Sequence, residues 1–394
     1  MLAAAALCAV AAGFAIAMTA MNLVIDRSLD SRERNERQVE NMPQPETRIS
    51  ISALGDMLAH DSIVTQAATP NGYDFSGYFN AITPIYQDAD IVFCNPETPV
   101  AGQELGISGY PSFNAPQEFA QDLIDAKCNM INLATNHIYD KGQSGIDVSR
   151  RVWQDAGPRW IHGANSTIED QQVSYATVDG VVVAFVAFAD FSNVADVSAG
   201  SLNMYRDTQL VDQLMAEARE RADVVIVSAH WGEEGSNAVS PDQRDTAARF
   251  VERGADIVIG TGPHVLQPVE WVEAGNQKGL VWFSIGNMLS SQLQVNELTG
   301  IIAQMDLVKN SSEESFRVEN IRAFPTFMSY QWSAQDRSVE RLESRSNFQL
   351  RPMRDASTDI TEMFSTETYE SRLDYVTKSL GPIVTLQENA APTQ

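Results

Sequence analysis

The stretch RISISALGDMLAH, from Arg48 to His60, joins an alternating apolar run to a short polar cluster, and four similar clusters follow other strand-like runs. In open α/β sheets the carboxyl ends of the strands converge on one crevice. Carboxylates, an amide and imidazoles at the ends of separate strands can therefore lie close together in this crevice. We expect them to form a functional site there. The five clusters hold four of the five histidines and are Gly55–His60, Asn95–Glu97, Thr135–Asp140, His230–Glu234 and Gly260–His264.

The order of strand-like and helical runs predicts a mixed α/β fold. In the first third of the body the two kinds of run alternate, which indicates parallel strands joined by helical crossovers. Two later runs, Val173–Val178 and Val181–Ala189, meet at Asp179-Gly180, a dipeptide that favours a tight type I′ hairpin. Strands dominate after Ile259, so a two-sheet sandwich flanked by helices fits this order better than a doubly wound sheet.

Composition divides the chain into four segments. They are an apolar span over residues 1–25, a polar and proline-punctuated linker over 26–48, one main domain over 49–332, and a charged, weakly patterned extension over 333–394. Within the main domain we expect a helix near Ser76–Gln87 and a strand over Leu280–Ile285. Within the extension we expect one helix, at Glu367–Ser379.

The uncharged apolar stretch from Leu2 to Ile25 is long enough to cross a hydrocarbon core of about 30 Å as a helix. It is either an uncleaved anchor or an export signal, and we prefer the anchor because no Lys or Arg precedes it. We thus expect a protein of the cell membrane with a single N-terminal span. The arginines that follow, from Arg27 to Arg37, would keep the body in the cytoplasm under the positive-inside rule.

The charge balance excludes several classes of function. With 52 acidic and 27 basic residues the formal charge is -25, which repels a nucleic-acid backbone, so we expect no nucleic acid as partner. An anionic polymer would meet the same repulsion unless metal ions or a local arginine cluster inverted the field. No G-x-S-x-G elbow and no Walker loop is present, which argues against a serine hydrolase or a nucleotide kinase.

Cys94 and Cys128 both lie beside apolar, core-like segments. We expect two free buried thiols here rather than a disulfide, and on that basis the cysteines do not settle the compartment.

The polar clusters offer oxygen and imidazole ligands without thiolates, which suits Mg, Mn, Fe or Zn. Taken singly, Asp56 has an alternative role in an Asx turn or helix cap, and Glu97 as a solvated loop carboxylate. His230 and His264 occupy parallel positions after apolar runs, which favours ligation over a structural role. Glu233 could orient the His230 ring or cap the following helix.

As an ordered set, these motifs resemble the capsule-synthesis CapA family of poly-γ-glutamate biosynthesis proteins, whose domain is similar to calcineurin-like metallophosphoesterases. The resemblance covers about residues 50 to 290 and implies a four-layer α/β/β/α sandwich. It also implies an anchored protein whose body faces outside the cytoplasmic membrane, which conflicts with the arginine-rich flank. The matching stretches are Gly55-Asp56, Asn95–Val100, Asn132–His137 with Asp140 and Gly142, His230–Glu234, Pro263–Gln267 and Ser284–Asn287.

The same resemblance implies a role for each matching residue. Two divalent ions, or one, would polarise a phosphoryl group. Asp56 and His264 would hold one ion, Asn136 and His230 the other, and Glu97 would bridge them. His137 would protonate the leaving oxygen, with Asp140 as its catalytic neighbour. The residues expected to contact substrate are His60, Glu233, Gln267 and Asn287.

Two departures from the family pattern bear on activity. Members usually carry His-Pro-His where this chain has Gly262-Pro263-His264, and an Arg where it has His60. The loss of an imidazole ligand would weaken the binding of the second ion most. Three functions stay open: a metal-dependent phosphoester hydrolase in the synthesis or export of an anionic surface polymer, a non-catalytic partner that binds polymer or its synthase complex, and an enzyme for an unrelated small phosphoester.

Overall fold

The computed structural model describes Met21 and residues 46–313 and 315–388. Its contacts separate two units, residues 1–46 with 310–313, and residues 47–309 with 314–394. The first lies mostly outside the described residues, and so do the expected anchor and most of the linker. Within the described part of the chain, no helix is long and apolar enough to cross a membrane.

The second unit is built on two large sheets. Their strands, with the short β2–β3 pair, are β1 (Glu46–Met57), β2 (Ala68–Thr69), β3 (Gly72–Tyr73), β4 (Ile91–Pro96), β5 (Met130–Asn132), β6 (Trp160–His162), β7 (Ser174–Val178), β8 (Val181–Ala189), β9 (Val224–His230), β10 (Ile257–Thr261), β11 (Val269–Ala274), β12 (Gln277–Trp282), β13 (Asn287–Leu289), β14 (Thr299–Asn310), β15 (Arg317–Gln331), β16 (Ser346–Pro352) and β17 (Thr385–Leu386).

The helices flank these sheets. They are α1 (Asp61–Ala67), α2 (Ser76–Phe79), α3 (Glu118–Asp125), α4 (Gly142–Ala156), α5 (Thr208–Arg221), α6 (Pro241–Glu252), α7 (Ala334–Ser338), α8 (Ser357–Met363) and α9 (Tyr369–Leu380), with 3-10 turns at Thr83–Ile85, Gln103–Leu105, Ile168–Asp170 and Leu342–Ser344.

Each sheet is mixed, with a parallel centre. The first runs β16-β15-β14-β1-β4-β5-β6, with β13 beside β1 and β17 beside β15, and β1, β4, β5 and β6 are parallel. The second runs β11-β12-β10-β9-β8-β7, with β8, β9, β10 and β12 parallel. Parallel strands end at the same edge of a sheet. The polar residues at the ends of β1 and β4 therefore lie at one edge of the first sheet, and those at the ends of β9 and β10 lie at one edge of the second.

Strand β8 shows why the arrangement has four layers. Val183, Phe185 and Ala187 join the core shared with the first sheet, while Ala184, Val186 and Phe188 pack with helix residues such as Leu214 and Phe250 in a second core. A strand buried on both faces reads as a continuous apolar run, as this one does. The expected α/β/β/α sandwich is confirmed.

Most elements form where the pattern places them, and the hairpin at Asp179-Gly180 is confirmed by left-handed φ values of 48° and 83°. The helix expected over Ser76–Gln87 is wrong. It splits into α2 and a 3-10 turn beginning at Thr83, because Pro84 has no N–H and disfavours α geometry in the residue before it. The strand expected to reach Ile285 ends at Trp282.

Residues beyond Ser333 contribute to the first sheet. Strand β16 pairs antiparallel with β15, and β17 pairs with the same strand. The expected helix at Glu367–Ser379 forms as α9, whereas α8 and β16 carried no pattern strong enough to predict them.

The expectation of two free thiols is wrong, because Cys94 and Cys128 form a disulfide with Cα atoms 5.8 Å apart. Cys94 lies in β4 opposite Ile131 of β5, and Cys128 lies just before β5. The crossover through α3 thus returns the chain beside Cys94. The apolar neighbours in sequence indicated that each sulfur is buried. They did not indicate the register of β4 and β5 that brings the two cysteines together.

Candidate metal centre

Two carboxylates and an imidazole form the centre of the site. Asp56, Glu97 and His230 are buried, and one ligand atom from each lies within 4.8 Å of the others. Both carboxylate oxygens of Glu97 are buried without a hydrogen-bond partner. Burying a charge without partners costs on the order of several kcal/mol unless a cation neutralises it. The donor set therefore fits a divalent cation.

His264 connects the two carboxylates. Its Nδ1 atom lies 3.0 Å from Asp56 Oδ2 and 2.9 Å from Asn287 Oδ1. Its Nε2 atom lies 3.7 Å from Glu97 Oε1. Because two oxygen acceptors face Nδ1, that nitrogen carries a hydrogen and Nε2 is the atom available to a metal.

The His230 ring, like that of His264, has partners at both of its nitrogens. Thr261 Oγ1 lies 2.9 Å from its Nδ1 atom. Its Nε2 atom faces Asn136 Oδ1 at 3.0 Å and Glu97 Oε1 at 3.5 Å. The expected ligands Asn136 and Glu97 are therefore brought to the same nitrogen, although they come from different strand ends.

The electrostatics of the site couple Glu97 to the imidazoles. Burial alone would raise the pKa of Glu97, but the positive charges of His264 and His230 outweigh it and lower the pKa to about 2. Burial would likewise lower the pKa of His264, yet Glu97 and Asp56 raise it to about 10. A protonated His264 thus supplies the positive charge between the two carboxylates.

The expected proton donor, His137, lies beside this centre. Its Nδ1 atom is 2.7 Å from Asp140 Oδ2, and the same carboxylate oxygen accepts the backbone N–H of Phe113 at 2.7 Å. The Asn193 amide nitrogen lies 3.1 and 3.2 Å from the two ring nitrogens, and the Phe113 ring packs edge-on at 4.7 Å. The His137 ring is therefore held from three directions.

Of the four expected substrate contacts, the structure brings His60 and Asn287 to the site. The His60 ring packs 5.2 Å from Phe113, and the backbone N–H of Ser291 donates to its Nδ1 atom at 3.4 Å. Burial, then the positive charges of His264 and Arg345, lower the pKa of His60 to about 3. The ring is thus neutral near pH 7 and does not replace an arginine's charge.

The other two residues expected to contact substrate, Gln267 and Glu233, have different surroundings. Gln267 is buried, accepts from Gln243 at 2.8 Å and donates to the carbonyl oxygens of Ser236 and Ala238 at 2.9 and 3.1 Å. Its polar atoms therefore brace the loop after β9. Glu233 is exposed on that loop.

Two asparagines orient the carboxylate of Asp56, and neither was expected to have a role in the site. Asn95 donates to Asp56 Oδ1 at 2.7 Å, and Asn132 donates to Asn95 Oδ1 at 2.6 Å. Both lie near the ends of neighbouring parallel strands, so strand order was the signal that could have found them. Asn193 lies on an irregular loop, and no pattern in the sequence pointed to it.

Gly262 lies where the family pattern carries a histidine, and its backbone has no room for one. Its φ is +106°, and an added Cβ would lie 2.9 Å from the Trp231 carbonyl oxygen. Its own N–H donates to Asp56 Oδ2 at 3.1 Å. A side chain here would need a rearranged turn. This chain therefore has one imidazole fewer at the site.

A cleft of about 560 Å³ lies elsewhere in the fold, lined by residues such as Trp332, Arg337 and Arg351. It contains none of the expected site residues. We assign the site to the buried carboxylates because the Glu97 oxygens, buried without hydrogen-bond partners, are a stronger indication of a ligand than open volume.

With this geometry established, the comparisons with known proteins identify the family. Residues 50–292 match the family described as "Bacterial capsule synthesis protein PGA_cap". The chain belongs to this family. All five expected metal ligands of this PGA_cap chain fall within the matched residues.

Two curated relatives cover most of the same region. The chain is 27% identical over 278 residues to "Capsule biosynthesis protein CapA" of Bacillus anthracis, covering 67% of this chain and 65% of the relative. It is 28% identical over 270 residues to "PGA biosynthesis protein CapA" of Bacillus subtilis, covering 67% and 69%. The chain therefore spans 65% of the length of the first relative.

Two solved structures are similar at lower identity. A hypothetical protein of Thermus thermophilus aligns at 14% identity with a TM-score of 0.43, covering 70% of this chain and 98% of that one. The calcineurin-like phosphoesterase YfkN of Bacillus subtilis aligns at 14% identity with a TM-score of 0.41, covering 84% and 99%.

Proposed function

We propose that this chain is a divalent-metal-dependent phosphoester hydrolase that serves the synthesis or export of an anionic surface polymer such as poly-γ-glutamate. Membership of the PGA_cap family supports the capsule role. The observation that carries the metal-dependent part is Glu97, whose two oxygens are buried without hydrogen-bond partners beside Asp56, His230 and His264. Its partners would be the polymer or the synthase complex that makes it.

The residues that would hold Mn, Fe, Zn or Mg, as one or two ions, are Asp56, Glu97, Asn136, His230 and His264. When bound, the metal supplies Lewis-acid polarisation of a phosphoryl oxygen. The chain contributes pre-orientation, since Thr261 fixes the His230 ring and Asn287 fixes the His264 ring.

His137 would act as the general acid. Its Nδ1 atom faces Asp140, which leaves Nε2 to give a proton to the departing oxygen. The carboxylate of Asp140 holds the ring, and Phe113 packs against it from one side. The side chains of His137 and Asp140 are 6% and 2% exposed, so bulk solvent reaches little of either group.

We also propose that the body lies outside the cytoplasm, tethered by the apolar residues 1–25. The Cys94–Cys128 disulfide supports this side of the membrane, because disulfides persist in oxidising compartments and are rare in the cytosol. The arginines after the apolar stretch favour the opposite orientation.

A second candidate is a non-catalytic partner that uses the same pocket to bind polymer or a synthase complex. Gly262 favours it, since the turn that holds this glycine excludes a further imidazole ligand. An enzyme for an unrelated small phosphoester would share the site and differ only in substrate.

Metal analysis with activity assays tests the proposal. Purified protein loaded with Mn or Zn should hold stoichiometric metal and hydrolyse bis(p-nitrophenyl) phosphate. Glu97→Gln should lose metal and activity, whereas His137→Ala should keep metal and lose activity. Val339→Ala, at an exposed residue that is not among those assigned to the site, is the control. Metal-free wild-type protein that fully restores capsule in a deletion strain would support the scaffold instead.

A further inference from the structure

An exposed tyrosine lies on a short loop and is connected to the expected proton donor through the Phe113 ring. Tyr110 is 74% exposed, more than any other exposed large hydrophobic residue in the described part of the chain. Its hydroxyl group makes no hydrogen bond within that part. A single exposed aromatic residue needs no explanation, and what distinguishes Tyr110 is the structure of its loop.

The loop that carries Tyr110 is rigidly braced. Ser108 and Asn114 pair through backbone hydrogen bonds of 3.1 and 2.8 Å across its base. The backbone N–H of Gly109 donates to Asp61 Oδ1 at 2.8 Å, and an added Cβ at Gly109 would lie 2.7 Å from the Asp61 backbone nitrogen. The tip is therefore fixed against helix α1.

The loop is also joined to the site. Tyr110 contacts Phe113 edge-on with ring centroids 6.4 Å apart, and Phe113 in turn contacts His137 at 4.7 Å and His60 at 5.2 Å. The oxygen of Asp140 that holds His137 also holds the backbone of Phe113. The Tyr110 ring thus keeps a fixed position relative to the proton donor.

We infer that Tyr110 forms a subsite that binds an uncharged ring of the substrate, on the side of the site where His137 protonates the leaving group. A rigid aromatic face beside open solvent offers stacking to a flat-faced ring, whether a sugar or a base. The carboxylates of Asp61 and Asp140 flank the loop, so an anionic group would be repelled here. The subsite rests on the proposed function, since it assumes a phosphoryl group held at the metal centre.

Calorimetric titration of metal-loaded full-length protein with two non-hydrolysable probes tests this subsite. Wild-type protein should bind phenylphosphonate more tightly than methylphosphonate. Tyr110→Ala should lose about three- to tenfold in affinity for phenylphosphonate and keep its affinity for methylphosphonate. Tyr110→Phe should behave as wild type, and Val339→Ala, 63% exposed and not among the residues assigned to the site, is the control.

The outcomes separate the two ideas. Failure of wild-type protein to bind either phosphonate would overturn the proposed function, and the subsite with it. Binding of methylphosphonate together with equal phenylphosphonate affinity in wild type and Tyr110→Ala would overturn the subsite alone. Glucose 1-phosphate and adenosine 5′-monophosphate, used as competitors, identify the ring: the one whose affinity falls in Tyr110→Ala supports the inference, and no loss for either contradicts it.

Discussion

Removing the Cys94–Cys128 disulfide should destabilise the protein by a predictable amount. The bond closes a segment of 34 residues that contains Asn95, Glu97 and helix α3. In the chain-entropy treatment, closing a loop of that length removes about 12 to 13 cal/mol/K from the unfolded state, or about 4 kcal/mol at 25 °C. Total stabilities of about 5–15 kcal/mol make this a large fraction.

Equilibrium unfolding in urea measures the effect. The double variant Cys94→Ala/Cys128→Ala should lose about 4 kcal/mol, plus a smaller packing loss because both sulfurs are buried. Wild-type protein reduced before unfolding keeps the sulfurs and isolates the cross-link. Cys8→Ala, which leaves the cross-link intact, should match wild type. Equal midpoints and slopes for oxidised and reduced wild-type protein would refute the reasoning.

Three further predictions concern the metal centre. Asn95→Ala should weaken metal binding about 10- to 100-fold in calorimetry because Asp56 loses its orienting donor; unchanged affinity would count against that role. Metal binding at pH 7.5 should release about one proton, from His264, so the apparent enthalpies in Tris and Pipes should differ; equal values would contradict the assignment. Gly262→His should lower the melting temperature without adding metal, since φ is +106° there; a stable variant with extra bound metal would show that the turn accommodates a ligand.

The fold was largely predictable because its signals are local. Alternating and continuous apolar runs mark the strands, and the Asp179-Gly180 dipeptide fixes the hairpin between β7 and β8. Apart from the helix interrupted near Pro84, the predictions that failed depended on contacts distant in sequence. The Cys94–Cys128 bond follows from the register of β4 against β5, and β16 is a strand because β15 is there to pair with it.

The same distinction between local and distant signals separates the site residues that could be predicted from those that could not. The expected ligands, such as Asp56 and His230, stood out because polar residues directly after apolar runs are unusual. The residues that orient these two side chains did not stand out, since an asparagine such as Asn95 or a threonine such as Thr261 serves many structural purposes. Asn193 reaches His137 from an irregular loop, and the sequence carries no periodicity there from which its position could be inferred.

The charge arrangement supplies a positive charge at the site when no metal is bound. Glu97 has its pKa lowered from 4.5 to about 2, so its contribution to stability is present above pH 4.5 and is lost as pH falls through 2. His264 has its pKa raised from 6.5 to about 10, so its contribution is complete below pH 6.5 and is lost as pH rises through 10. Metal-free protein is therefore best stabilised by this pair between about pH 4.5 and 6.5, with the His264 proton in the place of a cation. Between pH 6.5 and 10 the advantage of this proton declines, and the buried carboxylates gain increasingly from a divalent ion. The benefit of metal to stability should thus grow with pH.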